Sequence, residues 1–261
     1  MKQLLILLSF IAISVSVSAQ QKHGKKSRKE EKRARVNAQI KAEEEGVIAY
    51  KKHYAFGVKL TSDGYGISFE KGYAKSVKKA TLFQVEITER KHQKEEKQNN
   101  PYAPTSPIIY GKLNYFYPVK LGVQKQFLLG NKSNKNGVSI TGNVGGGLSL
   151  GFLRAYEVEV DKNGERTFVR YDSEDSLLFR NGPYYGGPGL GKGWDHLKLS
   201  PGLYAKPGVR FDYGKYNEMV SAIEVGVIAE FYAKKIPQML DNKQKQFFFS
   251  AYFTVLFGKR K

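Results

Sequence analysis

From residue 53 onward, apolar and polar side chains alternate with period two over eight separate runs. That period puts successive side chains on opposite faces of a strand, so each run predicts a strand with one apolar and one polar face. The first four runs are carried by Tyr54, Phe56, Val58 and Leu60; by Tyr65, Ile67 and Phe69; by Phe83, Val85 and Ile87; and by Val119, Leu121 and Val123. The fifth holds Val138, Ile140, Val144, Leu148, Leu150 and Phe152, and the sixth Leu199, Leu203, Ala205, Val209, Phe211 and Tyr213. Ile223, Val225, Val227, Ala229 and Phe231 make the seventh, and Phe247, Phe249, Ala251, Phe253, Val255 and Phe257 the eighth. Many runs exceed the roughly 5–6 residues of an ordinary soluble strand. They approach the about 9–11 residues that a tilted strand needs to cross a bilayer.

The connections give an independent reading. The second, fourth and sixth, at about 71–79, 130–137 and 214–217, are short. The third, fifth and seventh, at about 91–108, 155–196 and 233–246, are longer. Ser62-Asp63-Gly64 is a tight turn signal at the first. Short turns at one end and longer loops at the other are what a membrane barrel with an inside N-terminus produces. A soluble barrel would bury its apolar face, whereas here the polar face is rich in Gly and Ser and carries charges. Tyr54, Tyr65, Tyr115, Tyr117, Phe152, Tyr213, Phe231, Phe247 and Phe257 near strand ends suit headgroup girdles. The expected fold is all-β: an eight-stranded antiparallel transmembrane β-barrel over residues 51–261, in the cell outer membrane.

Three stretches carry a resemblance: Gly57 to Gly66 (GVKLTSDGYG), Tyr110 to Asn114 (YGKLN) and Gly145 to Phe152 (GGGLSLGF). On these and on the strand pattern, the chain resembles the small outer-membrane β-barrels of Gram-negative bacteria, OmpA/OmpX-like in the broad sense, and within them an uncharacterised group. The resemblance implies fold and place, and contact with outer-membrane lipid including lipopolysaccharide. It implies no activity. Where such barrels often end on an aromatic residue, Phe257 is followed here by Gly258-Lys259-Arg260-Lys261.

Upstream the character changes. Residues 1–19 read as a signal peptide, with Lys2, an apolar run from Leu4 to Val17 and a Val17-Ser18-Ala19 cleavage pattern. Residues 20–50 read as a basic, partly helical periplasmic leader with few large apolar residues and no face to bury. Lys25, Lys26, Arg28, Lys29, Lys32, Arg33 and Arg35 would form an arm that contacts a periplasmic protein or peptidoglycan; a solvated tail is the plainer reading. The formal charge of +19 invites a nucleic-acid partner, but export puts nucleic acid out of reach. Lysines also crowd the short turns: Lys71, Lys75, Lys78, Lys79, Lys132, Lys135 and Lys215.

The candidate chemistry is sparse. The inward set holds Lys59, Glu70, Glu86, Lys120, Lys206, Arg210, Glu224 and Glu230, four cations and four carboxylates. An eight-stranded barrel is just wide enough for side chains to fill it, and buried charges must pair. An internal ion-pair plug is therefore expected, with a gated ion path as the alternative. No Cys is present, and the four His are dispersed at 23, 53, 92 and 196, so no metal or cofactor is expected. Asp195-His196 near Ser200 would suit a surface hydrolase only if the side chains converged, and strand neighbours diverge. Gly186 to Gly193 reads as a flexible loop flanked by Tyr184, Tyr185 and Trp194. The leading expectation is a non-enzymatic structural or accessory barrel. An enzyme on lipid A or peptide and a small-conductance channel are the alternatives.

Overall fold

The structure, a computed structural model, describes residues 50–99, 106–132, 137–171, 174–214 and 218–261, together with Glu30 and Arg33. The signal segment, most of the leader and the turn lysines Lys135 and Lys215 lie outside the described residues. Of the arm residues only Arg33 falls within them, and it is exposed; Lys25, Lys26, Arg28, Lys29, Lys32 and Arg35 fall outside.

Eight strands close a barrel: β1 (Lys52–Thr61), β2 (Gly64–Ser76), β3 (Lys79–Arg90), β6 (Asn114–Gly130), β7 (Ser139–Ala155), β11 (Lys198–Asp212), β12 (Met219–Ile236) and β13 (Lys245–Arg260). Each pairs antiparallel with its chain neighbours, and β1 closes on β13 with Phe56 opposite Phe257 and Lys59 opposite Thr254. Backbone bonds from Lys51 and Lys52 to Lys261 extend this seam. Closure leaves no open edge, which is the condition for a strand protein to sit in lipid, where no water can satisfy backbone groups.

The strands run longer than the apolar runs that predict them. The β2–β3 connection shrinks from the expected 71–79 to Val77 and Lys78 alone. Beyond the apolar runs, the ladder continues through outward polar residues such as Lys71 and Lys125. The turn end of the barrel thus carries Val77–Lys78, residues 131–138 and residues 213–218.

The exterior is an apolar belt. Phe56, Leu60, Ile67, Phe69, Phe83, Ile87, Leu148, Leu203, Phe249 and Phe253 are all exposed, while the residues that alternate with them are buried. A band of large apolar side chains encircling a sheet is not sustained in water, where exposed patches stay within a few hundred Å². It fits the hydrocarbon layer. The chain is a transmembrane β-barrel.

At the other end three connections fold together into a cap. β4 (Lys97–Gln98) pairs with β5 (Ile108–Ile109); β8 (Glu157–Lys162) pairs with β9 (Glu165–Arg170) and β10 (Tyr184–Gly186). Asn163 and Gly164, both at positive φ (59° and 86°), make the hairpin turn, the favoured chemistry for a two-residue link. A short helix, Ser176–Asn181, brings Phe179 into a core with Ile109, Tyr156, Val158, Val160 and Met239. The cap is bonded across loops: Ile109 N–H donates to Tyr156 Oη at 2.7 Å, Leu113 N–H to the Gln238 carbonyl at 2.8 Å, and Leu240 N–H to the Gly111 carbonyl at 2.6 Å. The Gly186–Gly193 segment is therefore not a free loop. Gly186, Gly187 and Gly193 are buried, and Arg154 donates to the Leu190 carbonyl at 2.9 Å.

The orientation is testable. Leu148 lies mid-strand in the belt beside Leu121 and Leu203. Leu148→Arg should destabilise the barrel by about 2–4 kcal/mol, measured by reversible urea unfolding in phospholipid vesicles. A spin label at Val209 should sense lipid and one at Arg210 should not; equal lipid contact at both would refute the register.

Candidate functional site in the barrel lumen

Alternation delivers inward residues in order up each strand. On β12 these are Ala222, Glu224, Ile228, Glu230 and Tyr232; on β13 they are Leu256, Thr254, Tyr252, Ser250 and Phe248. Antiparallel pairing then brings residues distant in sequence to the same height. The lumen fills in layers, with Ala55, Val220, Ala222 and Leu256 near the turn end.

All eight predicted lumen charges are buried, and each reaches an opposite charge. Glu70 takes the Arg210 guanidinium on both oxygens, at 2.7 Å each. Arg210 also donates to Glu224 through Nε at 2.9 Å and Nη2 at 2.6 Å. Lys206 lies 3.2 Å from Glu224 and 2.6 Å from Glu86, and Lys59 meets Glu86 at 2.6 Å. The result is one alternating chain, Glu70–Arg210–Glu224–Lys206–Glu86–Lys59, with three charges of each sign. Lys120 stands apart from it. It lies 3.1 Å from Glu230, which also binds Arg90 at 2.9 Å, and Arg90 reaches Asp63 at 2.6 Å. This second chain is also neutral.

Neutral groups take up the remaining valences. Glu224 accepts from Asn143 Nδ2 at 2.7 Å and from the Tyr252 phenol at 2.9 Å, while Tyr232 donates to Glu230 at 2.6 Å. His53, 3.0 Å from Glu70, belongs to the first chain. Its ring lies flat against β2 because residue 72 is glycine: a Cβ there would come within 2.1 Å of the imidazole. Gly208 gives Tyr252 its place in the same way: a Cβ there would come within 2.2 Å of the phenol oxygen.

Three members escape the sequence reading: His53, Arg90 and Asp63. His53 and Arg90 share parity with Lys59 and Glu86 but lie beyond the apolar runs used to define the strands. Asp63 sits in the β1–β2 turn and folds its carboxylate over the mouth. The polar-inside expectation also needs correction, because Phe116, Tyr232 and Phe248 close the upper lumen. Their ring centroids are 5.3–5.9 Å apart, and Arg90 lies 4.7 Å from the Phe248 centroid.

Outside the barrel the candidate groups are different. Asp195 and His196 sit in a turn rather than a strand, so their side chains meet at 3.4 Å instead of diverging. With the largely buried Glu157 they form a trio whose donor atoms lie within 4.8 Å of one another. Ser200 is buried and its hydroxyl has no hydrogen-bond partner among the described residues. His92 accepts a bond from the Lys94 N–H at 3.2 Å, and partial burial lowers its pKa. Burial also pulls the Lys112 ammonium below its ordinary value, opposed by Glu95 at 2.5 Å.

A closed eight-stranded barrel, apolar outside and ion-paired inside, defines the class of small transmembrane β-barrels. Comparison with solved structures returns similarities at low scores. Neisserial surface protein A is 12% identical, with 80% of this chain and 96% of that one covered at a TM-score of 0.38. The N-terminal β-barrel domain of Pseudomonas aeruginosa OprF is 8% identical, with 80% and 99% covered at 0.36. Ail, the attachment invasion locus protein of Yersinia pestis, is 9% identical, with 82% and 100% covered at 0.36, and is also solved with the heparin analogue sucrose octasulfate. No protein-family model and no curated protein matches the chain. The class rests on the geometry above.

The network makes a graded prediction. Glu224→Leu leaves Arg210 and Lys206 each short of a partner and should cost about 3–5 kcal/mol. Tyr252→Phe removes one bond to that carboxylate and should cost about 1.5–3 kcal/mol. Urea unfolding followed by circular dichroism gives both values. Equal, near-zero costs would show that the lumen is hydrated and the pairs screened.

Proposed function

We propose that the chain is a non-enzymatic outer-membrane barrel, a structural or accessory subunit whose basic periplasmic end contacts an envelope partner. The observation that carries this reading is the lumen. Two neutral ion-pair chains and an aromatic triad fill the space through which ions would pass. A side chain cannot leave the first chain without stranding a buried charge. That favours a scaffold over a conduit.

The basic turn end then supplies the contact. Lys75, Lys78 and Lys79 are exposed there, next to the end of the chain from which the leader departs. Several cations on one face attract an anionic surface and speed its encounter in a salt-dependent way. The seven basic residues between Lys25 and Arg35 would add to the same field.

Cross-linking in intact outer membranes, with the full chain compared to one lacking residues 21–48, tests the arm. A defined partner captured by the first and lost with the second is the expected result. Capture of the same partner by both would remove the arm from the contact. In planar bilayers the purified full chain should be silent, and Glu86→Gln should be silent too; stepwise conductance in either would turn the reading to a channel.

A further inference from the structure

The turn end is more than a charged rim. A cavity of about 330 Å³ opens there into the lumen, lined by Tyr50, His53, Gln126, Thr141, Asp212 and Arg260 among others. Its volume falls within the range of small-ligand clefts. We propose that this vestibule binds the carboxylate of an acidic peptide segment presented from the periplasm. The proposal rests on the reading of this end as a contact face and names the chemistry of the contact.

The charge inventory supports an anion. Arg260 and Lys132, both buried, converge on the single carboxylate of Asp212. Arg260 donates also to the Met219 carbonyl at 2.5 Å, and Lys132 to the Gly214 carbonyl at 2.5 Å. Two cations thus share one negative charge. Glu70 is already claimed by the lining residues Arg210 and His53, and Glu218, whose carbonyl accepts from the Arg260 N–H, is exposed. Arg260 Nε has no hydrogen-bond partner among the described residues, although the side chain is buried and lines the cavity. A buried guanidinium N–H without an acceptor is costly, and an incoming carboxylate supplies the acceptor. Around the opening, exposed Lys51, Lys75, Lys78 and Lys79 add a positive rim with no acid among the lining residues other than Asp212.

The geometry selects a peptide over a lipid headgroup. The polar floor residues sit on the inward face of their strands, so the cavity is entered along the barrel axis from water. A headgroup stays outside the apolar belt, on the other face of the same strands. Gln126 and Thr141, joined by a 3.0 Å hydrogen bond, offer amide and hydroxyl groups that can pair with a peptide backbone. Tyr50, whose phenol donates to Gln126 at 3.3 Å, lies 5.3 Å from the Arg260 guanidinium and forms one wall.

The test is a titration of the full chain in detergent micelles with tri-glutamate, tri-lysine and inorganic phosphate. It is followed by calorimetry and by the ¹⁵Nε signal of Arg260. Tri-glutamate should bind and move that signal, tri-lysine should not, and phosphate should bind at least tenfold more weakly. Arg260→Gln should weaken tri-glutamate at least tenfold. Should that variant fail to fold, the exposed pair Lys78→Gln and Lys79→Gln should weaken it about threefold at low salt and leave it unchanged at high salt, because screening already removes surface attraction there. Phosphate binding as tight as tri-glutamate would overturn the peptide assignment. An unmoved Arg260 signal, or unaltered affinity in both variants, would overturn the site. Loss of this binding with the cross-linked partner retained would refute the vestibule and leave the surface contact standing; the converse would refute the arm and leave the vestibule.

Discussion

A carboxylate sealed inside a narrow barrel must be neutralised by its neighbours, and the lumen is arranged around that demand. Glu224 illustrates it: Arg210 and Lys206 neutralise the charge while Asn143 and Tyr252 use the remaining lone pairs. Each of those donors comes from a different strand or position along it, so the network also fixes how the strands lie against one another. A one-residue slip of β12 would carry Glu224 to the lipid face and bring Ile223 or Val225 inside. The apolar belt alone would punish that slip. The ion pairs punish it a second time and reject slips of two residues, which preserve the face but misplace the partner.

The alternation itself was plain in the sequence, and with it the barrel, its face polarity and the eight central charges. Strand ends were not, because hydropathy marks where lipid stops and the hydrogen-bond ladder does not stop there. Lys71 is outward and polar yet remains paired with Phe83 in β2. His53 and Arg90 were overlooked for the same reason: each has the parity of a lumen residue but sits past the last apolar marker of its run. Inward Phe116, Tyr232 and Phe248 were hidden differently. On a strand already rich in aromatics, their neighbours supplied the expected apolar pattern, and nothing local shows that a second set faces a dry interior.

The cap was the least legible part. Asn163-Gly164 between Glu157-Val158-Glu159-Val160 and Thr167-Phe168-Val169 is a hairpin signal in its own right. The packing of that hairpin on Ile109 and Met239 joins segments about 50 and about 80 residues away along the chain, and no period reports such a contact. Nor does spacing report the gathering of Glu157, Asp195 and His196, which depends on a turn rather than a strand. The vestibule was visible only as a surplus of lysine in the turns. That two buried cations there share one acid follows from the closure of β13 on β1, which carries Arg260 into the mouth.

That closing seam joins the first strand of the barrel to the last. Every other pair in the wall can zip as a local hairpin or meander, whereas β1 and β13 must find each other across the whole intervening chain. Contacts of such wide separation form slowly because the loop entropy is lost before the contact repays it. Until they form, two strands present bare backbone edges, and Lys59 on β1 depends on a wall that has not yet closed around it. Closure of that seam completes edge, charge and lumen together. An envelope chaperone that holds one of those two edges would control the timing of insertion without touching any other part of the molecule.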